Sequence, residues 1–249
     1  MRKIQIYLLA LLMLPFIQSF GQKRTYVLVH GAWGGAWQFK NTHKKLEKAG
    51  ENVYRVNLTG LGERVHLAND KVDLSTHVKD VVNTILFEDL DSVILMGHSY
   101  GGMVVTAVAD SIPERIKKII YLDAFVPEDG ESVFEFMSQG PAKDLMNSKD
   151  GVSIFPPWVK DTTVFPRDVP HPVATLKQVI KLKNPNRLKI PSTYILTSEK
   201  QYGGKEKDDF YFFYTRANKY GWKTIDMEAN HNPQVDKLDD LVKILLNEK

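Results

Sequence analysis

Apolar and polar positions alternate along this chain in two rhythms. Short β-branched runs stand between longer stretches with helical spacing. "TYVLVH", "NVYRVN", "SVILMG", "KKIIYLD", "STYILTS" and "KTIDME" read as strands, and "SVILMG" is apolar throughout, as a strand covered on both sides must be. Between them, "WQFKNTHKKLEKAG" reads as a helix stopped by Gly50. "STHVKDVVNTILFED" places Val78, Val81, Val82, Ile85 and Leu86 at helical spacing, and "MVVTAVADSI" is a helix ending before Pro113. "DDFYFFYTRANKYG" and a last helix from about Gln234 complete the pattern. Six strands alternating with helices predict an α/β fold, a mostly parallel doubly wound sheet covered on both faces. In such sheets ligands bind beyond the carboxyl ends of the strands.

The rhythm breaks from about residue 128 to 190. Prolines gather there, in "IFPPW" and "FPRDVPHP", which predicts a small cap inserted into the domain. Its aromatics Phe155, Trp158 and Phe165 are candidates for walling an apolar pocket. The start of the chain differs again. Arg2 and Lys3 precede an apolar run, and Ser19-Phe20-Gly21 fits a small-x-small cleavage site. The expected organisation is a signal peptide over residues 1–21 and a single domain over 22–249. The run is short and interrupted by Gln and Pro, so export to the periplasm or medium is expected, not a stable membrane anchor. The 249 residues contain no cysteine, which rules out disulfides, and a domain of this size needs none.

The formal charge of +3 comes from interspersed signs, with no basic block. That argues against a nucleic-acid partner and for a small molecule. Oligomeric state is not readable from the pattern.

Chemistry concentrates after the fully apolar strand. Gly97-His98-Ser99-Tyr100-Gly101 is a G-x-S-x-G sequence lying between a strand and a helix. A sharp turn of that kind exposes the Ser99 hydroxyl at the sheet edge, and the glycines let strand and helix approach each other. A serine needs a base. Where the triad order is serine, acid, histidine, the base lies C-terminal to Ser99, which leaves His171 and His231. His171 sits between prolines in the cap, whereas His231, in "MEANHNPQV", follows the last strand and is the better placed. His98 reads as a structural part of the turn, and His43, His66 and His77 as surface or loop residues without metal-ligand spacing. "VHGAWGGAW" after the first strand resembles the HG-x turn that supplies an oxyanion-hole N–H. The two donors are then the backbone N–H groups of Ala32 and Tyr100.

"HGAWGGAW", "LTGLGERVH", "GHSYGGMV", "YLDAFVPEDGES" and "NHNPQV" together resemble the α/β-hydrolase superfamily. The likeness is to the branch of plant methyl esterases, hydroxynitrile lyases and their bacterial esterase-like relatives. It implies a Ser-His-Asp serine hydrolase that cleaves small carboxylic esters through an acyl-enzyme, with no metal or organic cofactor. The acid has two candidates. Relatives commonly carry it after the penultimate strand, where Lys200 now stands with Glu199 beside it; some superfamily members carry it one strand beyond the nucleophile, where Asp123 stands. Asp123 is preferred. Two alternatives follow from the same resemblance: a hydroxynitrile lyase, or a non-catalytic small-ligand-binding homologue. The lyases resembling this branch use a threonine and a lysine where this chain has Gly31 and Asn232.

Overall fold

A computed structural model describes residues 23–248, apart from residues 139–142, 144–145 and 149. The expected leader, residues 1–21, lies outside the described residues. In chain order the elements are β1 (Thr25–Val29), α1 (Lys40–Lys48), β2 (Asn52–Val56), α2 (Leu74–Phe87), β3 (Val93–His98), α3 (Gly101–Ser111) and β4 (Ile116–Leu122). After the irregular stretch holding α4 (Val133–Ser138), β5 (Ser153–Ile154), β6 (His171–Pro172) and α5 (Val173–Lys177) come β7 (Ser192–Ser198), α6 (Tyr211–Lys219), β8 (Lys223–Glu228), α7 (Pro233–Asp236) and α8 (Leu238–Asn247).

Six strands form one parallel sheet in the order β2-β1-β3-β4-β7-β8, and β5 and β6 make a separate antiparallel pair. Alternation along each strand sorts its side chains to two faces. Val27, Val29, Val93 and Leu95 pack in one core with Val81 and Ile85 of α2, Val104 and Val108 of α3 and Phe213 of α6. Tyr26, Leu28, Ile94 and Met96 face the other core with Leu46 of α1 and Leu241 and Leu245 of α8. Burial on both faces explains why β3 is apolar from Val93 to Gly97.

Two expected helices differ in detail. The first begins as a 3-10 turn at Ala36–Phe39 before α1. The last divides at Lys237, whose φ of −129° leaves the helical region, so α7 and α8 are separate. α2 starts on a reciprocal cap: Asp73 accepts the Thr76 N–H, and Thr76 reaches back to the Asp73 N–H.

The strand order reverses between β1 and β3, because β2 lies outside β1 and all later strands lie beyond β3. The crevice at such a reversal is where ligands bind in open α/β sheets. Gly97 pairs with Val29 and His98 with Leu122, so the residues after β1, β3 and β4 emerge side by side.

Candidate active site

Ser99 lies at the turn from β3 into α3 with φ of +53°, a left-handed conformation that costs a non-glycine residue on the order of 1–2 kcal/mol. The surroundings hold it there. Its N–H donates to the Leu122 carbonyl at 3.2 Å, and its own carbonyl accepts the N–H groups of Gly102 at 3.0 Å and Phe125 at 3.1 Å. The glycines are required by contact. A Cβ on Gly97 would lie 2.6 Å from the Gly101 carbonyl oxygen, and one on Gly102 would lie 2.0 Å from that of Phe125.

Asp123 occupies the corresponding place after β4, also left-handed at φ +44° and buried. The Thr197 N–H donates to Oδ1 at 3.1 Å, and His231 Nδ1–H donates to Oδ2 at 2.6 Å. His231 is on the loop after β8, its side chain 40% exposed. Phe210 stacks on its ring, with centroids 4.9 Å apart and planes 14° from parallel. The loop is anchored from below: His98 Nε2–H donates to the His231 carbonyl at 2.7 Å. Burial, then the nearby His231, holds the pKa of His98 well below the usual histidine range, so His98 stays neutral.

Glu199, the other candidate acid, points elsewhere. Its carboxylate accepts from Gln201 Nε2 at 3.0 Å, on the wall of a polar cavity of about 170 Å³ beyond His231. Lys200 pairs with Glu228 at 2.8 Å.

Ala32 and Tyr100 flank the serine. His30 Nδ1–H donates to the Gly31 carbonyl at 2.8 Å, while its Nε2 accepts the Leu58 N–H at 3.2 Å. A trans peptide points its carbonyl and N–H in opposite directions, so a Gly31 carbonyl turned onto His30 directs the Ala32 N–H away from that ring. Burial lowers the His30 pKa to about 4 and keeps this ring neutral.

Ser99, Asp123, His231, Ala32 and Tyr100 all line one cavity of about 550 Å³, within the usual size for small-molecule sites. Its walls are aromatic: Trp33, Phe125, Phe136, Trp158, Phe210 and Phe213. Of the three cap aromatics proposed for the wall, only Trp158 is there. Phe155 and Phe165 are 56% and 72% exposed and face away. The run "FYFFY" before and within α6, together with Phe125 and Phe136, supplies the apolar wall instead.

Asp208 was not singled out in the sequence. It lies between the two cavities, and its Oδ1 accepts the Phe210 N–H at 2.8 Å. Burial, followed by the charge of Asp123, pushes its pKa up to about 6. His77, expected on a surface, is fully buried and bonded to the Tyr100 hydroxyl at 2.9 Å. The reason lies in its spacing, since Leu74, His77, Val81 and Ile85 form the inward stripe of α2. Among the described residues no group of three or more side chains is placed to hold a metal ion. No described helix is long and apolar enough to cross a membrane.

Comparison with known proteins adds to this geometry. Residues 26–244 match the alpha/beta hydrolase family. A carbendazim hydrolyzing esterase of Nocardioides sp. (strain SG-4G) is 34% identical over 240 residues, covering 88% of this chain and 97% of that protein. An alpha-hydroxynitrile lyase of Arabidopsis thaliana is 36% identical over 110 residues, 43% of this chain and 42% of the plant protein, so that match spans under half of either. Among solved structures, an extracellular alpha/beta-hydrolase from a Paenibacillus species is similar, with a TM-score of 0.74 and 27% identity over 90% of this chain and 98% of its own. That protein is described as sharing structural and functional homology with tobacco salicylic acid binding protein 2.

Proposed function

The chain belongs to the alpha/beta hydrolase family, and from that premise we propose that it is a serine esterase for small carboxylic esters. The observation that carries the reading is the 2.6 Å bond between His231 Nδ1 and Asp123 Oδ2, in the same cavity as a serine held at φ +53°. The esterase relative of nearly equal length and the extracellular structural neighbour support it.

The reaction follows from the placement. Ser99 Oγ attacks the ester carbonyl as His231 Nε2 takes its proton, and Asp123 balances the imidazolium that forms. The carbonyl oxygen becomes an oxyanion facing the N–H groups of Ala32 and Tyr100, each such donor being worth about 10²–10³ in rate. Collapse breaks the bond to the alkoxy oxygen, which leaves as alcohol with the proton from His231. Water then adds to the acyl-enzyme by the same route, giving the acid and restoring Ser99. The aromatic wall favours an apolar acyl or alcohol part. In this reading residues 128–190 act as the cap, and the protein is exported after loss of residues 1–21.

Lyase chemistry is disfavoured at Gly31, where a Cβ would already lie 3.0 Å from both His98 Nδ1 and Ser99 Cβ. A threonine there would need the turn to shift. A panel of short p-nitrophenyl esters, methyl esters, lactones and a cyanohydrin tests the proposal. Ester hydrolysis well above cyanohydrin cleavage is expected, and the reverse ranking would overturn it.

A further inference from the structure

The cap reaches the site through a residue that the reaction above does not use. His171 is fully buried, its ring packed 5.9 Å from Trp33 and 5.0 Å from Tyr100 between centroids. The Trp33 backbone N–H donates to His171 Nδ1 at 3.1 Å. Nδ1 is then the bare nitrogen, and Nε2–H donates to Thr175 Oγ1 at 2.6 Å. The Thr175 hydroxyl in turn donates to the Pro172 carbonyl at 2.7 Å. On the other side of the His171 ring, the Tyr100 phenol donates to His77 Nδ1 at 2.9 Å, and His77 Nε2–H donates to the Thr59 carbonyl at 2.8 Å.

Burial lowers the His77 pKa to about 4 and that of His171 well below the usual range, so both rings are neutral. A neutral imidazole has one donor and one acceptor nitrogen, and here each nitrogen is used. A network satisfied in this way is rigid.

Trp33 follows Ala32, and Tyr100 follows Ser99, so His171 touches the residues on both sides of the proposed oxyanion hole. Trp33 is held at φ +62°, a conformation that persists only where the surroundings determine it. All three of its polar groups are bound by the cap. Its N–H goes to His171, its carbonyl accepts the Val169 N–H at 2.8 Å, and its indole N–H donates to the Ile154 carbonyl at 3.0 Å.

We propose that His171 is a positioning residue for the oxyanion hole, locking Trp33, and through it the Ala32 N–H, against the Tyr100 ring, with Thr175 fixing the tautomer that leaves Nδ1 bare for the Trp33 N–H. The proposal rests on the serine-esterase reading. A histidine that merely fills the core would affect stability and leave transition-state binding alone.

Three variants separate these roles. His171→Phe keeps a ring and loses both hydrogen bonds. His171→Asn retains an acceptor near the Nδ1 position. Thr175→Val removes the acceptor for His171 Nε2–H, and with it the bond that fixes the tautomer accepting from Trp33. For each, kcat and KM on a short p-nitrophenyl ester are measured beside the inhibition constant of a trifluoromethyl ketone, whose serine adduct places an oxyanion in the hole. His171→Phe should lower kcat about 10- to 100-fold and weaken the ketone by a similar factor, with KM within about 3-fold. His171→Asn should recover most of both losses. If His171→Phe does not fold by circular dichroism, Thr175→Val carries the test, with matched losses of about 5-fold expected in kcat and ketone affinity. Folded variants with kcat and ketone affinity at the wild-type level, or with the loss confined to KM, would overturn the proposal. A wild-type protein that neither hydrolyses esters nor binds the ketone would overturn the esterase reading itself, and this inference with it.

Discussion

His231 Nδ1 stands 2.6 Å from Asp123 Oδ2, although 108 residues separate the two in the chain. The sheet brings them together, because β4 and β8 flank β7 and the loops after both strands open at the same edge. Asp123 is buried and its second oxygen is taken by the Thr197 N–H, so the carboxylate is held in one orientation. A base oriented in this way is what a serine nucleophile needs.

Replacing that carboxylate should therefore cost catalysis far more than stability. Asp123→Asn keeps the shape and should lower kcat by on the order of 10⁴-fold, while Glu199→Gln should stay near wild type. Steady-state kinetics on both variants checks this. A large loss in Glu199→Gln with an active Asp123→Asn would transfer the role to Glu199.

Asp208 predicts a pH-dependent stability. Its pKa is raised from 3.8 to about 6, so between those values the folded state holds more protons than the unfolded chain. Its contribution to stability is thus greatest below pH 4 and is lost as pH rises through about 6. Asp208→Asn, which keeps an acceptor for the Phe210 N–H, should raise the Tm at pH 7.5 and change it little at pH 4. Thermal melts at both values decide, and an equal shift at the two would contradict the assignment.

The glycines of the turn differ from those of open loops. Gly102→Ala would drive a Cβ onto the backbone oxygen of Phe125 and should destabilise by about 3 kcal/mol or more. Gly130→Ala, at φ +88° with open space around it, should cost only the local strain of about 1–2 kcal/mol. Urea unfolding of the pair gives the comparison, and equal losses would mean that the close approach at residue 102 relaxes readily.

Export makes a simple prediction. Protein recovered from the periplasm or medium should begin at or near Gln22 by intact mass. A membrane-bound species retaining Met1 would contradict it.

The sheet and the serine turn were legible because their signals are local. Val93–Gly97 of β3 is apolar at every position between polar flanks, and Gly97, Gly101 and Gly102 mark where strand and helix must nearly touch. Asp123 was legible only as one of two candidates. β4 and β7 are neighbours, so a carboxylate after either strand can approach the same histidine loop, and spacing along the chain does not distinguish them. His77 shows a signal overlooked: a polar residue in register with Leu74, Val81 and Ile85 is carried inward by the helix. Phe155 and Phe165 show a signal lacking, because the proline-rich stretch has no period to say which aromatic faces in. The cavity wall and Asp208 depend on packing between distant segments, which no local pattern encodes.

The central claim, that Ser99 is the nucleophile of an ester hydrolase, is tested most directly by active-site titration of the wild-type protein and Ser99→Ala. The proteins are treated with a fluorophosphonate and mapped by peptide mass spectrometry, beside their turnover of a short p-nitrophenyl ester. The account predicts one adduct, on Ser99, with activity lost in step with labelling. It also predicts a folded Ser99→Ala protein that is neither labelled nor active, with kcat down about 10⁶-fold. A wild-type protein that stays unlabelled while hydrolysing the ester, or a Ser99→Ala protein that retains its turnover, would contradict it.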